Sequence, residues 1–338
     1  MALVGIDLGS HAIKAVEIEK KRGKDVITAF ASGRPFGEGL SSEQLLDKDS
    51  LSKSVKDVFR EGNFSTLRVN VALSEADVFT QIVSLPKMSP KEQAKSIQWE
   101  AQQYIPLDLK NVNFDYQPID EFEGKIRLLL VAAPKDVVSR FVDLIQKVGL
   151  EPVALETSMQ ALSRLKQFAK DEDGSTLIVN IGAKTTDIGI VCRQKLRLTR
   201  SLSFGGAVLA RAVAEKLDIP LIQAEEYQRS YGLDDESLEG KITSALDPLL
   251  ATLLKELTRS VDFYDSRGYG DKVSRLCLCG GTAQLPGLLP YFVSKLNLEA
   301  RIVDPLFGVD FADKVNRHEL EDSAPSFALA VGLALNQS

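Results

Sequence analysis

Two stretches of the chain share one pattern of apolar and polar positions. Each has a short apolar run, a turn of glycine and hydroxyl residues, and a second apolar run, and they are LVGIDLGSHAIK (3–14) and LIVNIGAKTTDIGIV (177–191). Short apolar runs on both sides of a tight turn are typical of β-hairpins. The sequence therefore predicts two similar hairpins that lie far apart in the chain.

The elements predicted after each hairpin are also alike. After the first hairpin they are a strand, an amphipathic helix and a strand, at residues 26–31, 51–60 and 67–73. After the second hairpin they are a strand and a helix, at residues 195–201 and 207–217. The order β-β-β-α occurs twice, which predicts two related halves, and the first half reads β-β-β-α-β over residues 1–75.

A separate α/β unit is predicted at residues 76–150. Its elements are strands at 78–85, 112–118 and 125–132 and helices at 89–105 and 136–148. Ser89 is suited to the N-cap of the first helix and Pro90 to its first turn. This helix has two interpretations, a helix that belongs to a core and a helix that faces a groove for a partner peptide.

The unit is followed by a connection to the second half. It contains a strand at 150–157, a helix at 158–170 with Ser158 as its N-cap, and a charged turn at 171–174 that is a candidate hinge. The second half continues with helices and strands at residues 221–231, 246–264, 275–279, 288–295, 300–303 and 325–335.

Composition excludes several classes of protein. The 338 residues suggest about two domains, and the net charge of −6 argues against nucleic-acid binding. Cys192, Cys277 and Cys279 do not make a disulfide framework, and Cys277 and Cys279 share a strand face, where burial is favoured over metal ligation. No signal peptide, membrane-spanning segment or basic amphipathic tail is evident, so we expect any membrane association to occur through a partner.

The two hairpin turns are suited to contact an anion. Gly9 and Gly182 allow close approach of the backbone, and successive N–H groups in such a turn can surround a phosphate. Ser10, Thr185 and Thr186 add hydroxyl groups, and Lys14 adds a positive charge. Asp7 precedes the first turn, where a carboxylate is compatible with phosphate only if a hard cation such as Mg²⁺ lies between them. Each turn alone is also compatible with an ordinary hairpin.

Five motifs in order resemble those of the actin, Hsp70 and sugar kinase superfamily. They are GIDLGSHAIK and VNIGAKTTDIG (two phosphate motifs), LETSMQALS and PSFALAVGLAL (two connecting helices) and LCLCGGTAQLPGL (an adenosine motif). The resemblance implies an α/β, actin/Hsp70-like (ribonuclease H-like) duplicated fold of two lobes. Within the superfamily, GIDLGSHAIKAVEI, IQWEAQQYIPLD and PSFALAVGLAL are most similar to the PilM family of type IV pilus assembly proteins, relatives of FtsA.

The resemblance implies four subdomains. Residues 1–75, completed by 151–174 and 320–338, would form the core of the first lobe, and 76–150 an inserted subdomain of the FtsA type. Residues 175–218 and 272–319 would form the core of the second lobe, and residues 219–271 its helical subdomain.

The resemblance also implies that ATP and Mg²⁺ bind between the lobes. Asp7 would hold Mg²⁺ through water. Residues carried over to the nucleotide are Gly9, Ser10, Lys14, Asn180, Gly182, Ala183, Lys184, Thr185, Gly205, Glu225, Gln228, Gly280, Gly281 and Thr282. Glu156 matches a position that helps to place the attacking water. The N-terminus of the helix after Gly205 is a further candidate anion site, with an ordinary glycine turn as the alternative.

Two positions depart from the pattern of the superfamily. Asn180 stands where aspartate is usual, and Gln228 stands where lysine is common. An amide accepts a hydrogen bond but is not a general base. The sequence therefore predicts ATP binding with slow hydrolysis at most.

A partner is implied as well. PilM-type proteins bind the cytoplasmic N-terminal tail of PilN, an inner-membrane protein, and the helix at 89–105 and the strands around 67–85 would line the groove. Other pilus platform or motor proteins are further candidate partners. The expected location is cytoplasmic, peripheral to the inner membrane through the partner. The alternatives are a filament-forming protein of the FtsA type and a sugar or metabolite kinase.

Overall fold

The computed structural model describes residues 1–35, 48–170, 174–234 and 236–337. The candidate hinge therefore falls mostly outside the described residues, since 171–173 are not among them. The strands are β1 (Ala2–Leu8), β2 (Ile13–Lys21), β3 (Lys24–Gly33), β4 (Arg68–Leu73), β5 (Phe79–Pro86), β6 (Val112–Phe122), β7 (Lys125–Pro134), β8 (Glu151–Thr157), β9 (Ser175–Ile181), β10 (Thr186–Cys192), β11 (Lys195–Leu202), β12 (Val273–Cys279), β13 (Glu299–Ile302) and β14 (Asp310–Phe311). The helices are α1 (Lys48–Gly62), α2 (Pro90–Tyr104), α3 (Lys135–Lys147), α4 (Ser158–Ser163), α5 (Gly206–Leu217), α6 (Leu221–Tyr231), α7 (Lys241–Arg267), α8 (Leu288–Leu296), α9 (Arg317–Asp322) and α10 (Ala324–Ala334).

The first sheet has the strand order β14-β3-β2-β1-β4-β8. Its strands β1, β2 and β3 are antiparallel neighbours, and β4 and β8 join in parallel. Helix α10 crosses one face, where Gly5 permits contact because a Cβ there would lie 2.1 Å from the carbonyl oxygen of Ala330. Val4 and Ile6 point to the opposite face and share a buried cluster with α1.

Helix α3 also packs in the core of the first sheet. Val137, Phe141, Leu144 and Ile145 are buried in the same cluster as the side chains of β1 and α1. The predicted unit at 76–150 includes this helix, but its apolar face is buried against the first sheet. The division into subdomains otherwise stays a prediction.

The second sheet has the order β11-β10-β9-β12-β13 and repeats the pattern of the first. Three antiparallel strands are followed by parallel ones, β12 beside β9 and β13 beside β12. Helices α5 to α8 cover it with one large buried cluster. The predicted duplication is thereby confirmed, and Cys277 and Cys279 are buried on β12.

A third, three-stranded sheet has the order β5-β7-β6 and lies in sequence between β4 and β8 of the first sheet. Helix α2 covers one face, where Ile97 and Ala101 contact the cluster of β5 and β7. The other face carries Ile82 and Leu129, which belong to the buried cluster that also contains Leu196 of β11. The small sheet therefore lies between α2 and the second lobe.

The predicted helix at 158–170 begins at Ser158 as expected, but the prediction of Ser158 as its N-cap was wrong, and the helix is shorter. Thr157 is the N-cap, since its hydroxyl accepts from Gln160 N and the Gln160 side chain accepts from Thr157 N, both at 3.2 Å. The Ser158 hydroxyl instead donates to Asp187 at 2.8 Å. Helix α4 ends at Ser163 and is followed by a 3₁₀ turn at Lys166–Lys170.

Candidate nucleotide site

Asp7 and Asp187 bring an acidic side chain from each lobe to one place. Asp7 lies opposite Lys14 in the first hairpin. Burial raises the pKa of Asp7; the Lys14 ammonium opposes this rise, and the Asp187 carboxylate adds to it. Because the Asp187 carboxylate raises the pKa of Asp7 across the lobes, a cation between the two side chains would be stabilised.

Asp187 is held by two hydroxyl groups. It accepts hydrogen bonds from Ser158 at 2.8 Å and from Ser201 at 2.7 Å, so the start of α4 and strand β11 both orient it. Burial raises the pKa of Asp187, and the two serine hydrogen bonds oppose the rise. Its position fixes the base of the space between the sheets.

Glu75 is a third carboxylate at this place, and the sequence interpretation missed it. It is 6% exposed, and its Oε1 accepts from Met159 N at 2.8 Å. Burial raises the pKa of Glu75 to about 7, the Asp187 charge adds to the rise, and hydrogen bonds with Thr157, Met159 and Thr199 oppose it. The available signal was its position just after β4, since ligands of parallel sheets bind at the carboxyl ends of the strands.

The second hairpin turn is tied to the start of α5. Gly182 N donates to the Thr185 carbonyl at 2.9 Å, and the Gly182 carbonyl accepts from Gly206 N at 3.0 Å. The Ala183 carbonyl accepts from Ala207 N at 2.9 Å. The first two N–H groups of α5 therefore donate to carbonyl groups of the turn and do not face an anion.

Gly205 and Thr186 stabilise the same junction between the second hairpin turn and α5. A Cβ on Gly205 would lie 2.5 Å from the Ala183 carbonyl oxygen, so only glycine allows the turn and the helix to pack this closely. The Thr186 hydroxyl donates to the Phe204 carbonyl at 2.8 Å and is thereby occupied. Thr185 is half-buried, and Lys184 is exposed.

The glycine pair after β12 joins this cluster. Gly280 has a φ of +89°, its N–H donates to the Pro325 carbonyl at 3.0 Å, and a Cβ there would lie 2.6 Å from Asn180 Oδ1. The Thr282 hydroxyl donates to the Gly182 carbonyl at 3.1 Å. A Cβ on Gly281 would meet no heavy atom within 4 Å, so this residue borders open space.

Helix α6 carries two of the residues predicted to contact the nucleotide, Glu225 and Gln228. Gln228 is buried, and its Nε2 lies 3.8 Å from where a Cβ on Gly206 would be. Glu225 is exposed one turn earlier on the same helix. Asn180, Gln228, Thr282 and the second hairpin turn therefore lie next to one another.

The first hairpin turn is closed in the same way as the second. A Cβ on Gly9 would lie 2.6 Å from the Ala12 carbonyl oxygen, which explains glycine at the turn. Ser10 and Lys14 are half-buried beside it. The binding roles predicted for Gly9, Ser10 and Lys14 stay predictions.

Glu156 is engaged in an ion pair. Arg164 donates to both of its oxygens, at 2.5 and 3.1 Å, and also to the Gly332 carbonyl at 2.9 Å. The Asn336 side chain contacts Glu156 at 3.3 Å. Glu156 thus links α4 to α10, and its predicted role beside an attacking water stays a prediction.

The residues present fit Mg²⁺ held through water. Mg²⁺ retains several water ligands and needs one or two protein carboxylates, which Asp7 and Asp187 can supply. Among the described residues there is no group of three or more histidine, cysteine or acidic side chains placed to ligate a metal directly. The helices described in the structure include none with the length and apolarity required to cross a membrane.

Comparisons with known proteins give the family and the fold. The model of the family "Type IV pilus assembly protein PilM" matches residues 5–338. A solved PilM–PilN type IV pilus biogenesis complex contains a chain that superposes with a TM-score of 0.84 at 27% identity, covering 98% of this chain and 97% of that one. MreB5 of Spiroplasma citri bound to ADP shares the fold at a TM-score of 0.54 and 12% identity, covering 98% and 94% of the two chains.

Curated relatives are more distant in sequence. Cell division protein FtsA of Streptococcus pneumoniae is 18% identical over 336 residues, covering 84% of this chain and 71% of FtsA. Ethanolamine utilization protein EutJ of Escherichia coli is 26% identical over 151 residues, covering 45% of this chain and 48% of EutJ. The match to EutJ thus spans about half the length of that relative.

Proposed function

Because this chain belongs to the PilM family of type IV pilus assembly proteins, we propose that it binds ATP with Mg²⁺ and docks the tail of a PilN-like membrane protein. It is an actin-like protein of pilus assembly. Beyond the family assignment, the proposal gives this protein a bound nucleotide, a scaffold role and a defined contact with a partner. The observation that supports the nucleotide is that the second hairpin turn contacts the glycine pair, together with the interaction across the lobes between Asp187 and Asp7, which precedes the first turn.

Each part of the site has a role that follows from its chemistry. Asp7 and Asp187 would hold the water shell of Mg²⁺, which neutralises phosphate charge when bound. The backbone of the turns at Gly9 and Gly182, with Ser10, Thr185 and Lys14, would bind the phosphates. Gly281 borders open space beside Gln228 and Glu225, where adenosine would fit.

Hydrolysis is proposed to be slow at most. Asn180 occupies the end of β9, where an amide cannot take up a proton from water. The carboxylate of Glu156 is neutralised by Arg164. Nucleotide would therefore act mainly as a ligand that stabilises the folded lobes by mass action.

The contact with a membrane partner is proposed for the inserted sheet and α2. Ile97 and Ala101 fix α2 to the sheet, while Trp99 is 70% exposed, and Tyr104 and Leu107 are also exposed. Exposed aromatic side chains beside a sheet suit apolar positions of a short peptide. The solved relative was determined as a PilM–PilN complex, which supports a PilN-like tail as the occupant.

This contact would hold the protein at the cytoplasmic face of the inner membrane. Other proteins of the pilus platform or its motor are further candidate partners. A filament is the alternative state, and sedimentation with and without Mg-ATP distinguishes it from a scaffold.

Thermal melting with and without Mg-ATP tests the nucleotide. We expect a rise in melting temperature for the wild type that is lost in Asp7→Ala, with Asp49→Ala, an exposed aspartate, as the matched control. No rise in protein shown to be free of bound nucleotide would contradict ATP binding. Calorimetry with a PilN-like tail peptide tests the docking separately.

A further inference from the structure

A second groove lies on the face of the inserted sheet opposite α2. It is lined by β5, β11 and α7 and has a volume of about 320 Å³. Ile82 and Leu129 form its apolar base on the inserted sheet, and Phe263 of α7, which is partly exposed, stands on the other side. The groove therefore shares β5 with the surface proposed for the PilN-like tail but lies on the face of the inserted sheet away from α2 and Trp99.

Two open strand edges border this groove. In the described sheets, β5 pairs only with β7 and β11 pairs only with β10. The Gln81 side chain donates to the carbonyl of its neighbour Ile82 at 3.1 Å, in the place of a strand partner. Open edges offer main-chain donors and acceptors, which an extended segment can pair with.

Two buried polar atoms in the lining have no hydrogen-bond partner in the described structure. They are Arg197 Nε and Thr80 Oγ1. Arg197 is 3% exposed, and its other end pairs with Asp120 at 2.5 Å. Buried donors are nearly always satisfied in folded proteins, and a ligand with oxygen acceptors would satisfy these two atoms.

The charge around the groove is positive. Arg127 and Arg197 share the single carboxylate of Asp120. Arg200 and Arg259 share the carboxylate of Glu256, at 2.7 and 3.6 Å. Glu75, which forms a hydrogen bond with Thr199 of the lining, is a third carboxylate at this place. Four guanidinium groups against three carboxylates leave a surplus of positive charge, which favours an acidic ligand.

We propose that this groove binds an extended acidic peptide segment of a partner protein. The peptide adds as a strand to the open edge of β5, and its carboxylate accepts from Arg197 and Thr80. A small anion would satisfy the arginines but would leave the strand edges open. A neutral peptide would pair with the edges but would leave the charge uncompensated.

A display library of random eight-residue peptides tests the proposal on the full chain. We expect the enriched peptides to carry Asp or Glu. By fluorescence anisotropy they should bind the wild type at least tenfold more tightly than Arg259→Glu or Thr80→Val. Thr80→Val removes an unpartnered hydroxyl without changing shape, so its melting temperature should be equal to or above that of the wild type.

Two controls distinguish the groove from general attraction. Arg229→Glu makes the same charge change at an exposed arginine on α6 and should leave binding unchanged. The best peptide is N-methylated at every second residue, in one version at the odd residues and in another at the even residues. Binding should be abolished in one of these two registers, because methylation removes main-chain donors.

Three results would overturn the proposal. They are the absence of enriched acidic peptides, equal binding to the wild type and to both groove variants, and equal binding of both N-methylated registers. The last would indicate an anion site without strand addition.

Discussion

The carboxylate of Asp187, on the second sheet, accepts a hydrogen bond of 2.8 Å from the hydroxyl of Ser158, at the start of α4. Both residues are buried. The two lobes therefore share a charged hydrogen bond at the place where the chain passes from one to the other.

Ser158→Ala should lower the free energy of unfolding by about 1–3 kcal/mol, because it leaves a buried carboxylate with one hydrogen bond fewer. Chemical denaturation measures the change. Ser163→Ala on the same helix is the control, since that hydroxyl donates only to the Gln160 carbonyl at 2.8 Å. Equal losses for the two variants would show that the bond to Asp187 adds no stability.

Because of Glu75, the free energy of unfolding should fall as pH rises. Its folded pKa is raised to about 7 from an ordinary value of 4.5. The folded state therefore binds a proton more tightly than the unfolded state, and stability is lost between about pH 4.5 and 7. Glu75→Gln should reduce this slope, to which the raised pKa values of Asp7 and Asp187 also contribute, and should raise the free energy of unfolding at pH 8 by up to about 3 kcal/mol.

Urea denaturation from pH 4.5 to 8 tests this prediction. Glu226→Gln, at an exposed glutamate on α6, should keep the wild-type slope. A Glu75→Gln variant with the wild-type dependence on pH would mean that Glu75 is ionised in the folded protein throughout this range.

Several features could be predicted because they depend on neighbours in sequence. The alternation of apolar residues indicated both hairpins, and Ser89 and Pro90 marked the start of α2. Local motifs also carried the resemblance that predicted Asn180, Gly182, Gly205, Gln228, Gly280 and Thr282, although the contacts between these residues are far apart in sequence.

Other features depend on contacts that the sequence does not display. Thr157 and Ser158 are both good N-caps, and the choice was decided by Asp187, which takes the Ser158 hydroxyl. The periodicity of α3 indicated an apolar face but not the sheet against which it packs. Glu75 was missed because its burial arises from α4 and β11, which lie far away in the chain.

The two glycines after β12 should respond differently to alanine. Gly280 has a positive φ, and a Cβ would lie 2.5 Å from the Ile181 carbonyl oxygen, so Gly280→Ala should cost about 2 kcal/mol or more. Gly281 has no such contact. Gly281→Ala should therefore melt as the wild type does without nucleotide, and should lose at least half of the stabilisation by Mg-ATP.

Thermal melting of both variants at several Mg-ATP concentrations measures their stability without nucleotide and their stabilisation by it. If Gly281→Ala keeps the full response to nucleotide, the open space beside Gly281 is not where the nucleotide binds. This result would leave the fold assignment untouched, because the glycine pair would still connect β12 to α10 through Pro325.

Substitutions of Trp99 and Ile97, which lie on the same helix, distinguish an effect on peptide docking from an effect on folding. Trp99 is 70% exposed, so Trp99→Ala should change the free energy of unfolding by less than about 0.5 kcal/mol. It should weaken binding of a PilN-like tail peptide at least tenfold, because an exposed aromatic side chain is the kind of residue that dominates an interface. Ile97→Ala should instead cost about 2–5 kcal/mol of stability, since Ile97 is buried against the inserted sheet.

Ile222 gives the matched control for this comparison. It is 76% exposed on α6, in the other lobe, so Ile222→Ala removes an equally exposed apolar side chain without touching α2. Calorimetry should give the wild-type affinity for the tail peptide with this variant. If Trp99→Ala and Ile222→Ala bind the peptide equally well, the tail does not contact this side of α2, whereas the nucleotide site would remain as proposed.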